Sequence, residues 1–201
     1  MIYLDVKLKG KSYKIYNDQT YIGFLYRSDF NKLDIPTPSD FLEVSEEKYE
    51  EIRKAIIYRA FDKGVSYLAD SERSAYDVSL KLRMKDFPEY AIEEAIELLY
   101  EYNYLNDRRF AESYIRSYMS SKSKSMIRKE LSKRHINLPD LDELFSEVYT
   151  DEEVDEASVI EELIRKKYGG QDMSDEKVKR RAVSFLLRHG FSFEQINNYL
   201  T

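Results

Sequence analysis

The sequence predicts a mainly α-helical protein, built from three tandem three-helix (helix-turn-helix-like) repeats in an elongated array behind a small N-terminal antiparallel β segment. Three observations support this. An apolar pattern recurs three times after residue 70, residues 2–9 alternate with a period of two, and glycine and proline are scarce while 35% of residues are charged. The expected segments are 1–44 (β), 45–104 (linker helix and repeat 1), 105–150 (repeat 2) and 151–201 (repeat 3).

The β segment is predicted from residues 2–9, in which apolar and polar side chains alternate. Residues 12–16 and 20–26 also favour strands. A lone hairpin is marginally stable, so these strands need a packing partner. We therefore predict two or three antiparallel strands with turns at Gly10-Lys11 and Asn17-Asp18, and a linker at Pro36 and Pro38.

A long helix is predicted from Ser45 to about Ala69. Ser45 is a favourable N-cap, and the two glutamates that follow it suit the positive end of a helix. Ile52, Ile56 and Ala60 then form an apolar stripe at helical spacing.

The internal repeat determines the predicted architecture. Four apolar positions recur with steps of five, five and four residues, preceded in each copy by a serine that can cap a helix. The third copy carries four extra residues, which is one more helical turn and keeps the apolar face in phase. The three sets are Leu82, Phe87, Ile92 and Ile96; Leu131, Ile136, Leu141 and Phe145; and Leu186, Phe191, Ile196 and Leu200.

Each repeat is predicted to contain a helix, a turn, a second helix, a tight turn and a third helix. Gly169-Gly170 and Gly190 are expected where a helix ends in left-handed geometry, and Ser192 with Gln195 is expected to cap the last helix. The first helices are predicted at about 55–69, 107–119 and 152–168, the second at 75–85, 124–134 and 175–189, and the third at 88–103, 138–149 and 193–200.

Enzymatic chemistry is not indicated. The chain has no cysteine, and the zinc-protease, phosphate-loop, dinucleotide-binding and serine-hydrolase motifs are absent. His135 and His189, the two histidines, both fall at the end of a second helix, where a helix dipole favours them. We expect no cofactor and no small-molecule substrate. The absence of cysteine and of a long apolar run leads us to expect a cytoplasmic protein without membrane contact.

Charge is distributed in blocks that the net charge of −6 conceals. Residues 104–138 carry +6, residues 139–163 carry −11 and residues 164–190 carry +5. Such blocks are either solvated helix faces or complementary docking surfaces. The candidate partner- or DNA-binding residues are those of the first basic block: Arg108, Arg109, Arg116, Lys122, Lys124, Arg128, Lys129, Lys133 and Arg134.

The chain resembles the bacterial RecX family, regulators of the RecA recombinase. Three runs carry the resemblance in order: Ala69–Ser74 leading to Val78 and Leu82; Tyr104-Leu105-Asn106-Asp107-Arg108-Arg109-Phe110-Ala111; and Ile127, Arg128, Glu130, Leu131 and Ile136. Asp86, Asn103 and His135 stand where the family pattern has glycine, so we expect these residues to adopt left-handed geometry.

The resemblance implies a non-enzymatic modulator that binds the RecA–DNA filament, inhibits its ATPase and recombination activity, and touches single- or double-stranded DNA weakly. Two other functions remain open. A basic second helix is typical of sequence-specific helix-turn-helix DNA-binding regulators, and a scaffold without nucleic acid would carry the same charges as a solvated face. A chain of net negative charge is a poor non-specific DNA binder, which favours the modulator.

Overall fold

The computed structural model describes residues 1–200 and divides into two compact units, Met1–Asn106 and Asp107–Thr201. Unit 1 begins with strands β1 (Ile2–Lys9), β2 (Ser12–Asn17) and β3 (Thr20–Tyr26), followed by helix α1 (Arg27–Lys32) and strand β4 (Phe41–Val44). It ends with helices α2 (Glu46–Leu68), α3 (Ala75–Arg83) and α4 (Glu89–Glu101). Unit 2 contains α5 (Asp107–Tyr118), α6 (Lys124–Ser132), α7 (Leu141–Asp151), α8 (Glu156–Tyr168), α9 (Glu176–Arg188) and α10 (Phe193–Leu200).

The N-terminal strands form an antiparallel sheet in the order β3-β2-β1-β4, which has one strand more than the sequence predicted. β4 lies in the segment interpreted as a linker, and it pairs with β1 through Leu4 and Leu42. A strand of four residues is too short for its period to stand out from the surrounding loop. Helix α1, six residues long, was missed for the same reason.

Sheet and first repeat share one hydrophobic core. Leu4, Ile15 and Leu25 of the sheet lie in the same buried cluster as Ile52 and Ile56 of α2. Gly23 in β3 allows a close approach of the sheet to α2, because a Cβ there would lie 2.8 Å from the Ile56 side chain. The marginal hairpin is therefore stabilised by packing on the long helix.

The predicted repeat is confirmed as three tandem three-helix sets. Ser74 and Ser123 cap α3 and α6 by accepting backbone N–H bonds, and Ser192 and Gln195 form the predicted reciprocal cap at α10. In the third copy the expected serine, Ser174, is not the cap, because α9 begins one residue later and is capped by Asp175. Helix α9 has 13 residues against nine in α3 and α6, which is the extra turn expected in the third copy.

Tight turns end the second helices as predicted. Asp86, His135 and Gly190 have φ of 66°, 60° and 88°. In each case the next residue donates its N–H to the carbonyl five residues earlier, as Phe87 does to Leu82, so the last helical carbonyls are satisfied. Asn103 has a φ of 57°. All three residues that replace family glycines are thus left-handed.

The third helix of repeat 2 differs from the prediction, since it begins at Leu141 rather than near residue 138. Pro139 explains the shift, because the residue before a proline is disfavoured in α-helical geometry. Asp140 is the observed N-cap position.

Candidate functional site

The basic face of unit 2 is built on α5 and α6. Helix α5 buries Phe110, Ala111 and Ile115, and helix α6 buries Ile127 and Leu131, in one cluster with α7. The positions between these apolar residues therefore point away from the core. The nine basic residues that the sequence identified lie on these two helices and in the turns that flank α6: Lys122 precedes α6, and Lys133 and Arg134 follow it.

Three of the arginines are engaged by the acidic block that follows them. Arg108 pairs with Asp140 and Glu147, the latter at 2.6 Å. Arg128 lies 2.5 Å from Asp142. Arg116 contacts Glu112 on its own helix and Asp151 and Glu152 at the end of α7. Each exposed pair stabilises the fold little, but together they cancel charge that would otherwise attract phosphate.

Glu130 is the centre of a hydrogen-bonded cluster on α6. It accepts a hydrogen bond from the Lys122 ammonium at 2.6 Å and another from the Tyr114 hydroxyl at 2.8 Å. Arg134 lies 5.0 Å over the Tyr114 ring and donates to the Glu130 carbonyl. Partial burial alone would raise the pKa of Glu130, but the hydrogen bonds from Lys122 and Tyr114 outweigh it and lower that pKa. Burial and the bond to Glu130 raise the pKa of Tyr114.

Lys124 lies at the start of α6, where repeats 2 and 3 meet. Its backbone N–H donates to Glu156 at 2.8 Å, and its ammonium lies 4.1 Å over the Tyr149 ring. Ser123 beside it donates through its hydroxyl to the Gly190 carbonyl at 2.6 Å. The first turn of α6 is consequently docked on the turn between α9 and α10.

Lys129 and Lys133 differ from the other predicted residues. Lys129 on α6 and Lys133 at its C-cap are both exposed, and within residues 1–200 neither forms an ion pair. Arg109 is half-buried on α5. The sequence thus located the basic face. The structure shows which of its residues form ion pairs or hydrogen bonds within unit 2, and it leaves Lys129 and Lys133 facing solvent.

Helix α9 provides further exposed cations that are not among the nine predicted residues. Lys177 and Arg188 lie on its surface and form no ion pair in the described part of the chain. The net charge of +5 on residues 164–190 is the sequence feature from which these exposed cations could have been predicted.

A shallow groove of about 410 Å³ adjoins the basic face between α6 and α7. Arg128, Ile136 and Leu141 line it. No cluster of metal-ligating side chains occurs among the residues that the structure describes, and no helix in that part of the chain is long and apolar enough to span a membrane.

Comparisons with known proteins match the three repeats one by one. Models of the first, second and third RecX three-helix domains match residues 60–99, 106–143 and 154–200.

Two relatives illustrate the similarity. Regulatory protein RecX of Pseudomonas entomophila is 34% identical over 67% of this chain and 84% of that protein. Regulatory protein RecX of Bacillus velezensis is 32% identical over 79% of this chain. The match spans 59% of the B. velezensis protein and 55% of a similar Bacillus pumilus protein, so these relatives are considerably longer than the matched region.

Solved structures share the fold. A crystal structure of regulatory protein RecX superposes with a TM-score of 0.59 at 21% identity, covering 98% of this chain and 96% of that one. The crystal structure of RecX from Lactobacillus salivarius gives 0.52 at 24% identity over 73% of this chain and 96% of that one. Because the three domain models together match more than half of the chain, the protein belongs to the RecX family.

Proposed function

We propose that this protein is a non-enzymatic cytoplasmic regulator that binds the RecA–DNA filament and lowers its ATPase and recombination activity. The observation that carries the proposal is membership in the RecX family over all three repeats, whose relatives bear the name regulatory protein. The partner is the RecA filament that the sequence resemblance implies.

The charge arrangement of unit 2 supports a filament over naked DNA. Arg108, Arg116 and Arg128 are paired with carboxylates inside the unit, so these three groups are less available to release counterions from a duplex. A filament offers protein surface as well as phosphate. Lys129 and Lys133 are our first contact candidates there, because their ammonium groups face solvent without an internal ion pair in residues 1–200.

A helix-turn-helix DNA reader fits the geometry less well. Such proteins contact base edges with the N-terminal residues of the second helix. Here two side chains at the start of α6 are engaged within the unit, since the Ser123 hydroxyl donates to the Gly190 carbonyl and the Lys124 ammonium lies over the Tyr149 ring.

The test is the single-stranded-DNA-dependent ATPase of RecA, measured with increasing amounts of this protein. We expect inhibition by the wild-type protein. We expect Lys129→Glu/Lys133→Glu to need about ten-fold more protein for the same inhibition, since each reversed charge opposes the partner. The control is Lys11→Glu/Lys54→Glu, which makes the same change of charge at two exposed lysines of unit 1.

Two results would contradict these proposals separately. An unchanged ATPase at several-fold molar excess of wild-type protein refutes the regulatory function. Inhibition that is lost equally in both double variants shows that net charge, rather than a contact at Lys129 and Lys133, is being measured.

A further inference from the structure

Unit 1 has a second candidate surface, which is a groove lined by aromatic and basic side chains. The groove has a volume of about 730 Å³ and is lined by β3, α1, α2 and the turn between α3 and α4. Phe24 and Phe87 line its apolar part, with ring centroids 5.0 Å apart and 8% exposure each. Its volume is in the range of about 300–1,000 Å³ that is typical of ligand sites.

The charge in the groove is predominantly positive. Arg59 and Asp29 cancel each other, because the Arg59 guanidinium lies 2.7 Å and 2.8 Å from the two carboxylate oxygens. Lys32, Lys63 and Lys85 also line the groove, are exposed, and form no ion pair within residues 1–200. Asp62 is the remaining carboxylate of the lining. Three lysines against one carboxylate favour an anionic occupant, although unit 1 as a whole carries more acidic than basic residues.

Aromatic rings extend this groove along the surface. Tyr58 lines the groove and is 69% exposed. Its ring centroid lies 5.8 Å from that of Phe61, which in turn lies 5.7 Å from Tyr102 and 5.9 Å from Tyr104. Tyr102 is 63% exposed. Exposed rings of this size are costly in water unless a partner covers them.

We infer that this groove and its aromatic strip bind single-stranded nucleic acid. Lysines placed along a groove track phosphates, and neighbouring aromatic faces stack on bases without reading their sequence. Duplex DNA fits this surface less well, because its bases are already stacked on one another and offer no free face to the rings. A free nucleotide has one base and would cover only part of the surface along which the rings of Tyr58, Phe61 and Tyr102 follow one another. The surface lies entirely in unit 1, whereas the contacts proposed for the filament are in unit 2, so the two can be tested independently.

The first experiment measures binding of the full-length chain to fluorescently labelled oligothymidylate by anisotropy. Tyr58→Ala is expected to weaken binding about five- to 150-fold, the loss that one stacked base produces. Tyr3→Ala is the control, since Tyr3 is 65% exposed on the sheet and lies outside the groove lining. Circular dichroism checks that both variants fold.

Salt dependence tests the role of the lysines. Replacing Lys32, Lys63 and Lys85 with glutamine should flatten the slope of log affinity against log salt concentration by about 2, since each lost phosphate contact contributes about 0.7 on a single strand. The same change at the exposed lysines 9, 11 and 54 should leave the slope unaltered. Asp62→Asn should tighten binding, because it removes the opposing carboxylate.

Photocrosslinking provides a readout of position. Oligonucleotides that contain 5-iododeoxyuridine are expected to crosslink to the peptide with Tyr58 or to that with Tyr102. Crosslinks confined to residues 107–201 would overturn the inference, as would equal losses in Tyr58→Ala and Tyr3→Ala. Thymidine monophosphate and a polyglutamate peptide are measured as competing ligands. If either binds as tightly as the oligonucleotide, the groove is assigned to a different ligand.

Discussion

Replacement of Gly190 by alanine tests how repeats 2 and 3 are held together within unit 2. Gly190 has a φ of +88°, so an alanine there would cost about 1–2 kcal/mol in backbone strain. It also lies against the start of α6, where an added Cβ would be 2.5 Å from the Met126 Cβ and 2.6 Å from the Ser123 hydroxyl. Neither neighbour is the free end of a long side chain, and overpacking of this kind costs a further 1–3 kcal/mol, roughly.

Gly170→Ala separates these two contributions. Gly170 has a similar φ of +95°, but no atom lies within 4 Å of an added Cβ. We expect urea denaturation, followed by circular dichroism, to show a loss of about 1–2 kcal/mol for Gly170→Ala and about 2–5 kcal/mol for Gly190→Ala.

Hydrogen exchange should locate the additional loss. In Gly190→Ala we expect faster exchange in the first turn of α6 and the last turn of α9, because the bonds from Ser123 to His189 and Gly190 join them. Equal losses of stability in the two variants would refute the reasoning, since backbone strain alone would then account for both.

Three further predictions concern single residues of unit 2. Glu153→Gly should raise the free energy of unfolding by about 1 kcal/mol, because Glu153 is exposed with a φ of 53°, whereas Glu153→Ala, which keeps the Cβ, should not. Tyr149→Phe should be stabilising by about 1 kcal/mol in urea denaturation, since the buried Tyr149 hydroxyl has no hydrogen-bond partner within residues 1–200; a loss of stability would contradict this expectation. Glu130 has a lowered pKa, so its stabilising effect is present above the unfolded-state value of 4.5 and is lost as pH falls through the lower folded-state value. Glu130→Gln should therefore flatten the pH dependence of stability in that acid range, and an unaltered profile would exclude the contribution of its bond to Lys122.

The repeat could be predicted from sequence because its signals are local. Caps at Ser74 and Ser123, the extra turn of α9 and the left-handed residues Asp86 and His135 each depend on neighbours a few residues away. Short elements such as β4 could not be predicted in this way. Its four residues become a strand only through pairing with β1, more than thirty residues earlier.

The sequence predicted which basic residues form the candidate site, but not which carboxylates they pair with. The sequence located nine basic residues and the acidic block after them, yet Arg108 meets Asp140 and Glu147 across 32 and 39 residues. Which cations remain available to a partner depends on those contacts. The ring contacts of Phe61 with Tyr58 and Tyr102 could not be predicted either, because Tyr102 lies at the C-cap of α4, whereas Phe61 lies on α2, and only the folded chain brings the two rings together.

By itself, the sequence determined the helical class, the three repeats, the turn geometry and the family, since each follows from short-range spacing and residue type. Only the tertiary structure explains why residue 190 is glycine, whereas Asp86 and His135 adopt the same left-handed geometry with a side chain. At Gly190 the start of α6 approaches too closely for a Cβ. Backbone conformation is a local property that the sequence encodes, whereas the space around a residue depends on distant segments that meet only in the folded chain.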